Sequence, residues 1–418
     1  MCEYGYRSYY ICINPQILID MKPLEGIKIL EFATMVTASL SSMMLAEQGA
    51  KVIKVEPIEL GDPMRFFGSN KGGISALFAN CNRGKRSLRL DLKSDEGRKI
   101  IEELIPQTDL VLCNYRPGVM DKLGLGSERL RKLNPRLIYV AVSGFGTEGP
   151  YRSQPAYDQI IQVHTGFAAV QGQGQGRGPE MMRTLTCDKS TAYTACQAAT
   201  AALFQRERNG EGQHIDISMM DAALFFLFPD GFMHQTLLDE DAEHLVPLSE
   251  NGFGLMPTKD GGIALAAGNP VQRIGLLTAI DQLPLLADAR FNTDDKLREN
   301  YDEFRAILLV EFAKFDTEDL LRILEENDVP AAKYHDYEDV LNHPQYVANA
   351  TIDEFKHPIM GNMRRIKSPA QFNGERLAPA SNAPAHGQHT RNVLMEMGRT
   401  GAEVDELIEK GIAKEQDS

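Results

Sequence analysis

An α/β fold built on a doubly wound sheet, with a second and smaller domain, is what this sequence predicts, and three observations predict it. Between Leu24 and Ile138 short apolar strands alternate with helical patterns, the order that builds a parallel sheet covered on both faces. An apolar strand from Ile27 to Phe32 feeds a helix of small residues and then a second strand, Lys51 to Val55, which makes a right-handed crossover unit. At 418 residues the chain exceeds the size at which one core usually stops growing, so two packed units are expected.

The first crossover carries no Gly-x-Gly-x-x-Gly. Between strand and helix stands Ala33-Thr34-Met35-Val36-Thr37-Ala38-Ser39, and without glycine the backbone cannot closely cradle a dinucleotide pyrophosphate. Further on, Asp95 to Ile105 reads as a helix, with Ser94 as its cap. Leu110 to Cys113 reads as a strand, Ser127 to Leu133 as a helix closed by Asn134-Pro135, and Leu137 to Val142 as a strand. Gln171-Gly172-Gln173-Gly174-Gln175-Gly176 has loop composition. Ser190 to Glu207 is a long alanine-rich helix whose small side chains permit close packing; Asn209-Gly210-Glu211-Gly212 and a strand from His214 to Ile217 follow. The pattern then changes: a Gly-Gly strand region at 261–267 precedes amphipathic helices from Glu303 to Phe312 and Glu318 to Asn327. Pro369, Pro379 and Pro384 punctuate a polar tail that ends in a charged helix from Ala402. The expected organisation is an extension over 1–23, a large domain over 24–225, a small domain over 226–330, and a linker with a C-terminal segment, 331–418, that returns to the large domain.

Composition excludes several functions. A formal net charge of -14 leaves no basic footprint for nucleic acid. Cys2, Cys12, Cys81, Cys113, Cys187 and Cys196 contain no C-x-x-C pair, so no zinc or redox motif is present, no metal site is expected, and reduced thiols in a cytoplasmic protein are the expectation. No apolar run approaches the roughly 20 residues that cross a bilayer. The Tyr-rich first 20 residues lack the pattern of a signal peptide.

Three places could carry chemistry. Asp188, in Thr186-Cys187-Asp188-Lys189-Ser190-Thr191, stands where a loop turns into the alanine-rich helix. There a carboxylate can cap the helix, with backbone N–H groups holding it ionised, or attack an activated acyl carbon; the residues alone leave both readings open. Asn82 to Lys93 is the densest basic stretch, either a docking place for an anion or a strand with one wet face. Asn114-Tyr115-Arg116-Pro117-Gly118 follows a strand, at the sheet end where ligands of open α/β folds bind. The nine histidines form no catalytic order, and His386 and His389 read as solvated loop residues.

Together these segments resemble the class III CoA-transferases, whose relatives include formyl-CoA transferase, carnitine CoA-transferase and the α-methylacyl-CoA racemases. The likeness runs from Leu24 onward. It is carried by Leu24-x-Gly26-Ile27-x-Ile29-Leu30-x-Phe32, Gly49-Ala50-x-Val52-Ile53-Lys54-Val55-Glu56, Gly61-Asp62-Pro63-x-Arg65, Lys85-Arg86-Ser87, Leu90-Asp91-Leu92-Lys93 and Asn114-Tyr115-Arg116-Pro117-Gly118. Asn134-Pro135-Arg136-Leu137-Ile138-Tyr139, Ser143-Gly144-Phe145-Gly146, Gly149-Pro150-Tyr151, Tyr157-Asp158 and Gly212-Gln213-x-Ile215-Asp216-Ile217-Ser218 complete it.

The resemblance implies a large Rossmann-like domain with a smaller α+β domain, in an interlocked homodimer. It implies that Asp188 attacks an acyl-CoA thioester and passes through an aspartyl mixed anhydride and an aspartyl-CoA thioester before a carboxylic acid takes the CoA. It places CoA, a substrate rather than a resident cofactor, along Met35, Val36, Leu90, Lys93, Asn114, Tyr115 and Lys122. Gln159 and Arg183 stand as positions for acceptor recognition beside surface or packing roles. The chain departs from relatives at Pro57, where some carry Arg, at Ala192, where Gly is frequent, and at Asn251-Gly252-Phe253-Gly254, where formyl-CoA transferase has a glycine-run lid. Two alternatives are racemisation, whose His would fall at Tyr157 where an ordinary Tyr is a poor base near neutral pH, and non-catalytic CoA binding.

Overall fold

The computed structural model describes residues 22–172, 178–245 and 253–417, and these fall into two compact units. The first is formed by the chain up to Ile161, by Thr184–Ala223 and by Thr351 onward. Its sheet has six parallel strands: β1 (Lys28–Phe32), β2 (Lys51–Glu56), β3 (Lys85–Arg89), β4 (Leu110–Cys113), β5 (Ile138–Ser143) and β6 (His214–Ser218). They lie in the order β3-β2-β1-β4-β5-β6. The order reverses between β1 and β4, so the loops leaving those two strands flank the crevice where such sheets bind ligands.

Alternation along β1 assigns its faces. Leu30 and Phe32 join a core with Ile100, Ile101 and Leu104 of α2 (Asp95–Leu104) and Leu130 of α3 (Ser127–Leu133). Glu31 points to the other face, where α1 (Val36–Glu47) and α4 (Thr186–Asn209) pack along one another. α1 is buried nearly all round, and only small residues such as Ala38, Ser39 and Ser42 fit between sheet and helix. α4 matches it with Ala192, Ala195, Ala199 and Ala202, none more than 3% exposed. Substituting Ala for Gly at 192 therefore keeps a small side chain at a tight contact.

Helix and strand bounds agree with the sequence pattern to within a residue or two, with one informative exception. α4 begins at Thr186 rather than Ser190. Leu185, at the N-cap, supplies no side-chain bond, but the Asp188 N–H donates to Asp158 Oδ2 at 2.9 Å and extends the helix upstream.

The outer edge of β3 is covered. The His389 N–H donates to Ser87 O at 3.1 Å, the Gly84 N–H to Ser381 O at 2.8 Å, and Leu90 bridges Ala413. α8 (Thr390–Glu396) and α9 (Gly401–Glu409) add Val393, Leu394 and Val404 to the core beneath.

The second unit comprises Gln162–Arg183 and Leu224–Ala350. Strands β7 (Met256–Pro257), β8 (Gly262–Leu265) and β9 (Ala331–Lys333) form an antiparallel sheet, with α5 (Pro270–Ala279), α6 (Tyr301–Phe312) and α7 (Thr317–Glu326) around Phe304, Leu308, Phe312, Leu320 and Leu324. Relative to the expected 226–330, the unit extends at its end because β9 pairs with β8, just beyond that boundary. Residues 173–177 of the Gln-Gly segment, Asn251-Gly252 of the lid counterpart and the first 21 residues lie outside the described residues.

Candidate active site

A row of charge crosses the sheet beneath α1. Strand register sets Glu31 beside Lys54 and Lys54 beside Ser87. Lys54 Nζ lies 2.6 Å from Glu31 Oε1 and 2.9 Å from Asp62 Oδ2; Lys85 Nζ lies 2.7 Å from Glu31 Oε2. Arg65 grips Glu56 through Nε and Nη2 at 2.9 and 2.7 Å, and Ser87 Oγ donates to the same carboxylate at 2.6 Å. All seven are fully or almost fully buried. Burial alone would raise the Glu31 and Glu56 carboxyls, but Lys54 and Lys85 around the first and Arg65 beside the second hold both down at about 2. Lys85 itself falls to about 8, through burial and the nearby Lys54 charge. Gly61 reaches this cluster at φ +68, and a Cβ there would sit 2.9 Å from His386 Nε2 and 3.0 Å from Glu56 Oε1.

The cluster ends at the switch point. Asp62 Oδ1 accepts the Met35 N–H at 3.1 Å, and Met35 holds φ 61 and ψ -163, a region almost confined to glycine. Across the crevice, Asn114 clasps the loop after β1: Oδ1 accepts the Thr34 N–H at 3.0 Å, while Nδ2 donates to Thr34 O at 2.6 Å and Thr37 Oγ1 at 2.9 Å. The strained turn is thus pinned from both sides. Strain of this kind gathers at ligand sites, where the surrounding structure over-determines it.

The residues expected along CoA separate accordingly. Met35, Asn114 and Tyr115 follow β1 and β4 at the switch point, although both polar ends of the Asn114 amide are spent on the clasp. Burial pushes the Tyr115 phenol up to about 12, so it stays neutral. Val36 (2% exposed) and Leu90 (0%) lie inside hydrophobic clusters and present little side-chain surface. Lys93 and Lys122 are exposed.

Two expectations give way. Most of the basic stretch is not free to dock an anion: Arg83 pairs with Glu47, Lys85 with Glu31, Arg86 with Glu396 and Arg89 with Asp417, while Lys93 at its end stays exposed. The Arg89 guanidinium, 2% exposed, also donates to the Ile58 carbonyl. Nor are His386 and His389 free in a solvated loop: both are half-buried, His386 Nε2 meets Pro57 O at 2.9 Å and His389 Nδ1 accepts the Ser87 N–H at 3.2 Å, fastening the tail to the sheet edge.

Asp188 sits in the first turn of α4, 7% exposed. The helix runs about 36 Å, at 1.5 Å for each of its 24 residues. It turns at Gly210, φ 82, into β6, so its start overhangs the carboxyl end of the sheet. Leu185 packs in the cluster that holds Met35 and Val36, which brings the starts of α4 and α1 together. The cap reading of Asp188 fails in its original form. Among the described residues no hydrogen-bond donor meets its carboxyl group, and Asp158, 2% exposed, does the capping instead. Burial, with the Asp158 charge as second cause, pushes Asp188 up to about 7. Sequence reading saw Asp158 only within a motif; the signal available was a leucine where the helix needs a cap.

The chain as a whole has relatives. Residues 24–390 match the model of CoA-transferase family III. A succinate–glutarate CoA-transferase of Agrobacterium fabrum is 32% identical over 384 residues, 90% of this chain and 96% of that enzyme. An acyl-CoA transferase of Fusarium pseudograminearum is 30% identical over 93% of this chain and 88% of its own length. The crystal structure of a CAIB/BAIF family protein from Brucella suis superposes with a TM-score of 0.78 at 29% identity, covering 90% of this chain and 99% of that one. The chain belongs to CoA-transferase family III.

Proposed function

We propose that this CoA-transferase works through Asp188, moving CoA from an acyl-CoA to a carboxylic acid, with dicarboxylates as the acceptor class. The observation that carries it is a buried carboxyl on which no cation among the described residues acts, at a helix start packed against the switch point. An Asp188 oxygen attacks the thioester carbon and the CoA thiolate leaves, giving a mixed anhydride. The thiolate then attacks the Asp188 carbonyl carbon, expelling the donor carboxylate and leaving an aspartyl-CoA thioester. The acceptor carboxylate reverses both steps, so no proton is gained or lost. A carboxyl that titrates at about 7 is half ionised at neutral pH, a twofold loss outweighed by the greater nucleophilicity of a poorly solvated, more basic anion.

Met35 and Tyr115 support CoA binding at the switch point, with the exposed Lys93 and Lys122 available to its phosphates. The acceptor class rests on relatives named for succinyl-CoA with glutarate, D-citramalate or L-malate. Racemisation lacks support, since Tyr157 is 61% exposed and offers no second base. With succinyl-CoA, mass spectrometry should find a hydroxylamine-sensitive adduct on Asp188, and Asp188→Ala should lose turnover by at least about 10³-fold; full activity of that variant without any adduct would sink the mechanism.

The interlocked homodimer is likewise a proposal. Phe225 (82%), Phe226 (60%) and Phe228 (41%) are exposed on the apolar helix Met219–Gly231, as are Tyr193 (61%) and Phe204 (66%) on α4; large exposed apolar surface marks an interface. Light scattering in dilute solution should return twice the 46.5 kDa chain mass, and a monomer would refute it.

A further inference from the structure

We infer that Asp158 is the positioning residue for Asp188, capping the first turn of α4 in place of a local cap and setting a second negative charge beside the nucleophile. The inference rests on the reading of Asp188 as nucleophile. A helix start is ordinarily capped by a Ser, Thr, Asp or Asn one or two residues away, worth about 1 kcal/mol. Here Leu185 occupies that place and the acceptor comes from 30 residues upstream, on a carboxylate that is only 2% exposed. A serine at 185 would cap the helix without burying a charge. What a serine could not do is repel the Asp188 anion.

Lys189, the neighbouring cation on α4, turns away to Thr184 Oγ1 at 2.7 Å and is exposed. Among the described residues, no charged group of α1, β5 or β6 acts on Asp188; Asp158 alone does. Each covalent intermediate neutralises Asp188, because anhydride and thioester carry no charge on that carboxyl. The Asp158 charge therefore disfavours the free carboxylate relative to both intermediates, which is selective destabilisation of the ground state by a fixed group. The same charge holds the proton on Asp188 to higher pH.

The test is the rate of adduct formation on Asp188 from succinyl-CoA, followed by rapid quench and mass spectrometry between pH 5 and 9, in the full chain and in Asp158→Asn and Asp158→Ala. The wild-type rate should rise with a midpoint near 7. Asp158→Asn keeps an oxygen acceptor and loses the charge, so its midpoint should fall by about one pH unit with KM little changed. Asp158→Ala loses cap and charge, and its rate should drop about tenfold or more. A wild-type midpoint in Asp158→Asn overturns the inference, and so does a wild-type rate that is flat from pH 5 to 9, which requires no variant to fold. A wild type that forms no adduct at any pH overturns the assignment of Asp188 itself, and the inference with it.

Discussion

Two groups of buried carboxylates serve this protein, and they follow opposite rules. Under α1, Glu31, Glu56 and Asp62 face Lys54, Lys85 and Arg65, three anions against three cations. At the start of α4, the Asp188 N–H donates to the Asp158 carboxylate, and among the described residues the one charge that shifts Asp188 is the like charge of Asp158. Burial is nearly complete in both, yet Glu31 and Glu56 titrate at about 2 and Asp188 at about 7. Burial sets the stake and the partner decides the sign. The matched cluster is a strut, holding Met35 in a backbone conformation it would not adopt alone; burial and a like charge keep the Asp188 carboxyl basic.

The largest effect that would break this comparison comes from Lys54→Met. It leaves the Asp62 carboxylate without its buried cation, and removing one partner of such a cluster costs about 3–5 kcal/mol. Urea unfolding should show that loss, and the acyl-CoA KM should rise as the Met35 turn relaxes while Asp188 still forms its adduct. A loss below about 1 kcal/mol would mean the cluster is no strut.

The pH dependence of stability separates the two groups next. Glu31 and Glu56 have folded values depressed from 4.5 to about 2, so their contribution is present above pH 4.5 and disappears as pH falls toward 2. Asp188 is raised from 3.8 to about 7, so it favours the folded state least above pH 7, and that penalty accumulates as pH rises from 3.8. Asp188→Asn should therefore gain stability at pH 8, by up to about 4 kcal/mol, and nothing at pH 3, while losing turnover. Equal stability of variant and wild type at pH 8 would show that the carboxyl carries no such strain.

Much of the sheet could be read from the chain because continuous apolar runs such as Leu110–Cys113 and cap signals such as Ser94 are local; Ser94 Oγ does accept the Gly97 N–H at 3.0 Å. The charged residues were misread for a corresponding reason. The run Arg83, Lys85, Arg86 and Arg89 resembles an anion-binding face, and its four partners, Glu47, Glu31, Glu396 and Asp417, lie elsewhere in the chain. Nothing local announces that a cation is already matched. Asp188 drew attention by its place at a helix start, but only the resemblance favoured the nucleophile reading over the cap; the cap is supplied by Asp158, 30 residues upstream. Met35 illustrates the limit from the other side, because its strained φ of 61 has no sequence signature and is imposed by Asp62.

The smallest effect sharpens the comparison most, because it uses neighbours. Lys85 and Arg86 are adjacent on β3, and strand alternation sends them to opposite faces. Lys85 enters the cluster and is fully buried at Glu31. Arg86 makes the better hydrogen-bond geometry, a fork to Glu396 at 2.7 and 2.9 Å, but its side chain is 30% exposed and its partner 62%. If contact geometry governed, Arg86→Ala would cost more than Lys85→Met. Solvent screening says the reverse: the rim pair should be worth at most about 1 kcal/mol and should weaken with added salt. Lys85→Met should cost several times as much with little salt dependence, since water never reaches the charge it leaves behind on Glu31. Equal losses in the two variants, measured at low and high salt, would show that burial and not the matching of charges has been given too much weight in distinguishing strut from surface.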